Sequence, residues 1–289
     1  MSYITIPQRH DAPETDIFVK ILRKNKNLKF TFDRQIMILI HGGPGGNHTL
    51  YSDIENDLLE FADLVIPDLR GCGLSSKTDV HYCTLETHIN DIDSVIRKLN
   101  IPNSIIHGCS YGALVGLGYG IKYPGNISRL ILSSCAVSGK FIDDAKEKLL
   151  KMGTTEQIEV ANKLWSGAFE SSDQFSDFYK IMAPLYIYNA NTSQTPETTY
   201  IPYNFELVNF AFTTFLPNFD FTSELDRIKA PTLIFSGNND WIINDNQAKI
   251  LHGGIKNSIL ISLEHCSHFP WKDKRSEFLF NLKKFIKLD

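Results

Sequence analysis

Two periods of hydrophobic patterning alternate along this chain, and the changes between them outline a fold. Ile17, Val19 and Ile21 alternate with polar neighbours, and so do Leu28, Phe30 and Phe32. This predicts two antiparallel strands joined by a turn at Arg23 to Asn27 and lying at the edge of a sheet. Ile36 to Ile40 is apolar throughout, as expected of a strand covered on both faces. Leu64 to Ile66, Ser104 to His107, Leu130 to Ser133, Pro231 to Gly237 and Ser258 to Ser262 read as further short strands. Helical spacing falls between them, near Tyr51 to Phe61, over Leu85 to Leu99, through Ala113, Leu114, Leu117 and Ile121, and over Ser276 to Leu288. Strands alternating with helices predict an α/β fold with a mostly parallel sheet flanked by helices.

From Ser138 onward the pattern changes. Ile142 to Leu150 and Ile158 to Phe169 have helical spacing, and an aromatic-rich run without strands follows to about residue 222. The expected organisation is a core of residues 1–138 and 223–289, interrupted by a helical lid of residues 139–222. Inserted after the strand that follows the Ser110 helix, such a segment would sit over the carboxyl edge of the sheet. Its aromatics, Tyr200 among them, read first as lid core. Trp165 follows Ile158, Ala161 and Leu164 at helical spacing, so packing is its first reading and pocket wall its second.

With 289 residues, 43% of them apolar, the chain can bury a full core. A formal net charge of -4, with no block of like charges, gives no field suited to nucleic acid. The first residues lack a charged region followed by an apolar core, and no apolar run is long enough to cross a bilayer, so a cytoplasmic protein with no membrane partner is expected. Five scattered cysteines suggest reduced thiols.

The chemistry concentrates in Gly108-Cys109-Ser110-Tyr111-Gly112, between an apolar run and a helical one. A serine hydroxyl becomes a useful nucleophile when a sharp turn presents it to a base, and flanking glycines permit that turn. Glycines at His41-Gly42-Gly43-Pro44-Gly45-Gly46 follow the Ile36 strand with no Gly-Lys-Ser/Thr after them, which disfavours nucleotide binding. They suit an oxyanion hole in which the N–H groups of Gly43 and Tyr111 meet the developing charge. His41 reads as a structural histidine. Asp68 and Arg70 read as a pair that fixes the turn Pro67 to Ser75. Asp240, directly beyond the 231–237 strand, is the candidate acid in the order Ser, Asp, His. Of two histidines after the last strand, His268 is the preferred base and His265 its competitor. A metal site at His265, Cys266 and His268 is disfavoured, because three such close neighbours cannot easily close a tetrahedral shell.

These motifs, with Asp68-Leu69-Arg70-Gly71-Cys72-Gly73-Leu74-Ser75, Gly237-Asn238-Asn239-Asp240 and Ser267-His268-Phe269-Pro270-Trp271, give the chain a resemblance over nearly its whole length. It resembles an α/β hydrolase, and more narrowly the proline iminopeptidase family of serine aminopeptidases. The resemblance implies a catalytic Ser110, Asp240 and His268, with no metal or organic cofactor. It also implies lid carboxylates that bind the substrate's amino terminus, for which Glu206 is the best match and Glu170 the other. The implied substrate is a short peptide with an amino-terminal proline or other apolar residue. A small-ester or lactone hydrolase using the same three groups is the alternative, and a catalytically silent binding module is a third reading.

Overall fold

The computed structural model describes residues 1–25, 34–188, 201 and 203–287. The expected strand at Leu28 to Phe32 and the lid residue Tyr200 lie outside the described residues. In chain order, β1 (Ser2–Ile6), β2 (Thr15–Leu22) and β3 (Ile36–Ile40) precede the five-residue α1 (Glu55–Leu59). Then come β4 (Asp63–Pro67), α2 (Leu85–Lys98), β5 (Ser104–Cys109), α3 (Tyr111–Lys122) and β6 (Ile127–Ser133). Among the described residues four helices follow without an intervening strand: α4 (Phe141–Met152), α5 (Thr155–Ser166), α6 (Ser172–Tyr186) and α7 (Phe205–Thr213). The chain ends with β7 (Thr232–Gly237), α8 (Asp245–Gly254), β8 (Ser258–Leu263), α9 (Pro270–Asp273) and α10 (Arg275–Ile286).

The eight strands form one sheet in the order β1-β2-β4-β3-β5-β6-β7-β8. β2 runs antiparallel to both β1 and β4, and every pairing from β4 across to β8 is parallel. The partner of β2 at the edge is therefore the chain's own start, where Ile4 and Ile6 alternate with the exposed Tyr3 and Thr5. The helix expected over Tyr51 to Phe61 is also shorter than its spacing suggested. A 3-10 turn at His48–Tyr51 takes up part of that stretch before α1 begins.

The alternation of side chains along each strand divides the core in two. Ile36, Ile38 and Ile40 face one cluster with Ile106, Leu130, Leu132 and Ile234, while Met37 and Leu39 face the other with Ile105, Ile131, Leu233 and Phe235. Helices α2, α3 and α8 cover the first face, and α1 and α10 the second. Full burial of each such side chain contributes about 1.5–3 kcal/mol, so the central strands fix the frame on which the loops at their carboxyl ends sit. The chain segments that flank these helices are tied together beside that frame. Gly139 N donates to Phe219 O at 2.8 Å and Phe221 N to Val137 O at 3.0 Å. Among the described residues no helix is long and apolar enough to cross a membrane.

Candidate active site

Ser110 stands between β5 and α3 with φ 56° and ψ -122°, a left-handed conformation that costs a non-glycine residue energy. The two glycines of the motif make this turn possible by close backbone approach. A Cβ at Gly108 would stand 2.1 Å from Gly112 O, and one at Gly112 would stand 2.1 Å from Ile40 O. Ser110 N donates to Ser133 O at 2.9 Å, which fastens the elbow to β6.

Asp240 and His268 are both buried and joined, with His268 Nδ1 donating to Asp240 Oδ2 at 2.8 Å. That bond assigns the proton to Nδ1 and leaves Nε2 as the acceptor. The other carboxylate oxygen of Asp240 accepts from Ile242 N at 3.0 Å and Ile243 N at 3.1 Å, so its orientation is fixed from two sides. Around His268, its N–H donates to Tyr186 O at 3.1 Å and its carbonyl accepts from Ser134 Oγ at 2.8 Å. The ring of Tyr186 stands edge-on to the imidazole, with centroids 5.2 Å apart.

Ser110 and His268 line one cavity, together with Gly42, Gly43 and Pro44. A smaller cavity adjoins it, reaching Ser110, Gly43 and Tyr111. No hydrogen bond within the described residues engages the N–H of Gly43 or Tyr111, so both donors are available to an anionic oxygen beside Ser110. Gly43 has φ 133°, and a Cβ there would stand 2.7 Å from Gly46 N. Tyr111 is further held through its side chain. His88 Nε2 donates to Arg70 O at 3.1 Å, so His88 Nδ1 accepts from the Tyr111 hydroxyl at 2.7 Å. Burial keeps this imidazole neutral, with its pKa pushed down to about 4.

Several sequence expectations change here. Glu206 and Glu170 are both exposed and outside the cavity wall. Glu206 lies in the first turn of α7, and Glu170 accepts from Gln174 Nε2 at 3.0 Å. Trp165 packs against Phe212 and Trp241 at 5.7 and 6.0 Å and does not line the cavity. Asp68 and Arg70 do not pair with each other. Arg70 makes a bidentate contact with Asp91 at 2.8 and 3.0 Å, while Asp68 accepts from His48 N, His48 Nδ1 and Leu74 N. His41 is buried, donating from Nδ1 to Gly42 O and accepting at Nε2 from Leu69 N. His265 is exposed and lies against Tyr188. No group of His, Cys, Asp and Glu among the described residues is arranged to hold a metal ion.

Five residues at the site carried no sequence signal of their own. Lys148 on α4 donates to Asp240 O at 2.6 Å, His88 holds Tyr111, and the rings of Tyr179, Tyr186 and Tyr203 line the cavity. Their register on amphipathic or aromatic-rich stretches does not distinguish pocket from core.

Residues 35–274 match the family model of the α/β-hydrolase fold. A proline iminopeptidase of Pestalotiopsis fici, PfmaB, is 32% identical over 244 residues, covering 82% of this chain and 86% of that protein. A proline iminopeptidase of Lactobacillus acidophilus is 27% identical, covering 88% and 90%. Among solved structures, the α/β hydrolase MGS-M2 from a Medee basin deep-sea metagenome superimposes with a TM-score of 0.71 at 18% identity, covering 99% of each chain.

Proposed function

Because the chain belongs to the α/β-hydrolase fold family and, within it, to the proline iminopeptidases, we propose that it is a serine aminopeptidase. Its substrate in this reading is a short peptide, from which it releases an amino-terminal proline or other apolar residue. The observation that carries the reading is the buried His268–Asp240 hydrogen bond facing the same cavity as a strained Ser110.

His268 Nε2 takes the Ser110 proton as Oγ bonds to the substrate carbonyl carbon, and Asp240 stabilises the imidazolium that results. The N–H groups of Gly43 and Tyr111 hold the oxyanion. The tetrahedral intermediate collapses as the carbon–nitrogen bond breaks and His268 delivers the proton to the leaving amine. Water, deprotonated by the same imidazole, then cleaves the acyl-enzyme, releasing the acid and restoring Ser110. The helices of residues 139–222 act as the cap that shields this chemistry from water.

A second reading, hydrolysis of a small ester or lactone by the same groups, is favoured by one feature. Among the described residues no carboxylate lines the cavity to pair with a substrate ammonium. The discriminating experiment compares a proline arylamide, its N-acetylated counterpart and a short-chain nitrophenyl ester, with Ser110→Ala as control. Cleavage of the free-amine arylamide, lost in Ser110→Ala, supports the aminopeptidase. Ester cleavage alone supports the second reading.

A further inference from the structure

β8 is the last strand in the order of the sheet and is bonded to β7 on one side. That pairing fixes which of its backbone groups face outward. Thr232 N donates to Asn257 O at 2.8 Å and Asn238 N to Leu263 O at 3.1 Å, so the odd-numbered residues of this segment turn their N–H and C=O groups to β7. By the two-residue period of a strand, those of Ser258, Leu260 and Ser262 point away from the sheet. An open edge of this kind is a template for another strand, and native sheets guard it with a charge, a proline or a bulge. Ser258–Leu263 has none of these, and its pairing with β7 runs in one unbroken register. Ile259 is 42% exposed, and Ser262 is exposed as well.

The sequence of this edge is self-complementary. From Lys256 to Glu264 it reads Lys-Asn-Ser-Ile-Leu-Ile-Ser-Leu-Glu, so Ser-Ile-Leu-Ile-Ser is the same in both directions about Leu260 and opposite charges stand at the two ends. Laid antiparallel against itself with Leu260 opposite Leu260, it sets Ser258 opposite Ser262, Ile259 opposite Ile261 and Lys256 opposite Glu264. The backbone accepts this register. Ser258, Leu260 and Ser262, the residues that point outward, then meet only one another, and each such pair exchanges two main-chain hydrogen bonds. A slip of one residue would set an outward residue against one committed to β7. The side chains match on both faces of the sheet. Leu260 lies on the face covered by α8 and Ile261 on the face covered by α10, so a leucine pair on one face is accompanied by isoleucine pairs on the other. Lys256 and Glu264 are both exposed. We infer that β8 is a self-pairing edge, through which two copies of this chain join their sheets about a two-fold axis at Leu260. The product is a closed isologous dimer with one continuous sheet. The contact lies at the edge of the sheet and is independent of the Ser110 chemistry proposed above.

The test is the oligomeric state of the full chain, measured by sedimentation velocity over a concentration series, for the parent, Lys256→Glu, Glu264→Lys and the two changes combined. Both substitutions fall on exposed side chains. The parent is expected to sediment with twice the mass of one chain. Each single change sets like charges opposite each other at both ends of the pairing and should raise the dimer dissociation constant about tenfold. The combined change restores opposite charges and should return that constant to within about twofold of the parent. Leu260→Pro removes an outward N–H while leaving the bonds to β7 in place, so it should give a monomer with the circular dichroism of the parent. A parent that is monomeric at every concentration overturns the inference. So does a dimer that the single charge changes leave unaltered, a combined variant that stays dissociated, or a species larger than a dimer, since pairing through β8 closes at two copies.

Discussion

Lys148 and Asp240 are joined across 92 residues of chain, the ammonium of one donating to the main-chain carbonyl of the other at 2.6 Å. The same ammonium reaches Asn238 O at 3.3 Å, so one side chain of α4 spans the loop that carries the candidate acid. On the opposite side Tyr186 O, at the end of α6, accepts from His268 N. Helices α4 and α6 thus hold both partners of the His268–Asp240 pair.

Replacing Lys148 with Met removes this tie while keeping the length of the side chain. The expected result is a kcat lowered about three- to tenfold with KM little changed, and a stability loss of about 1–2 kcal/mol from two carbonyls losing a charged donor. Lys148→Arg should recover much of the kcat. Steady-state kinetics of the two variants, beside denaturant unfolding, check this. An unchanged kcat with the full stability loss would leave Lys148 a structural residue only.

Ser110 carries its strain for the sake of its hydroxyl. Ser110→Gly should abolish turnover and fluorophosphonate labelling while raising stability by about 1 kcal/mol, because glycine adopts the left-handed conformation without a Cβ clash. Ser110→Ala should abolish activity equally but gain no such stability. Urea midpoints of the two inactive proteins separate the strain from the chemistry.

The frame of the site was readable in the sequence because strong local rules govern it. An uninterrupted apolar run marked β3, and Gly108 and Gly112 occupy positions where a Cβ would strike backbone. Contacts made across the fold were not readable in this way. Asp68 and Arg70 are two residues apart and opposite in charge, yet the Arg70 side chain turns to Asp91 on α2, a choice fixed by how α2 packs on the sheet. Glu206 has the chemistry of an amino-terminal clamp, but the register of α7 turns Val208 and Phe212 inward and leaves Glu206 in solvent. The rings of Phe175, Tyr179 and Tyr203 likewise fit either lid core or pocket wall until the helices that carry them are placed.

The two exposed glutamates give a direct test of that register. Glu206→Gln and Glu170→Gln, singly and together, should leave kcat/KM for a prolyl arylamide within about twofold of the parent, because an exposed carboxylate is screened from the cavity by water and ions. A loss of tenfold or more in either variant would return that residue to the substrate.

Acid should destabilise the protein through two buried histidines. Burial holds the pKa of His88 down to about 4 and that of His107 to about 3, against 6.5 for an ordinary histidine. Between those values and pH 6.5 the unfolded chain takes up protons that the folded chain refuses. The stability contribution is therefore complete above pH 6.5 and is lost progressively as pH falls toward 4 and then 3. The shifts correspond to about 3 kcal/mol for His88 and about 5 kcal/mol for His107 over their ranges. His107→Phe removes an imidazole packed among the rings of Tyr51, Trp271 and Phe278, whose Nδ1 has no partner among the described residues. Urea unfolding at pH 7, 6, 5 and 4 should show a shallower acid limb for this variant than for the parent.

Asp91 is the counter-charge for two guanidinium groups, fully buried Arg70 at 2.8 Å and Arg9 at 2.7 Å. Asp91→Asn removes the charge but keeps the shape, leaving Arg70 a buried cation without its counter-charge, while Pro13 O still accepts from Nη1. Such a loss should cost about 3–5 kcal/mol. Its effect should also reach the site, because Arg70 O holds His88, which in turn accepts from the Tyr111 hydroxyl. Asp68→Asn tests the other half of the same turn. It leaves the Arg70–Asp91 contact in place and weakens the charged acceptor for His48 and Leu74, so its stability loss should be smaller, about 1–3 kcal/mol. Unfolding of the two single variants and of the double variant separates the cases. Additive losses are expected for two independent clusters, whereas a coupling above about 1 kcal/mol would mean that Asp68 and Arg70 act as one unit after all.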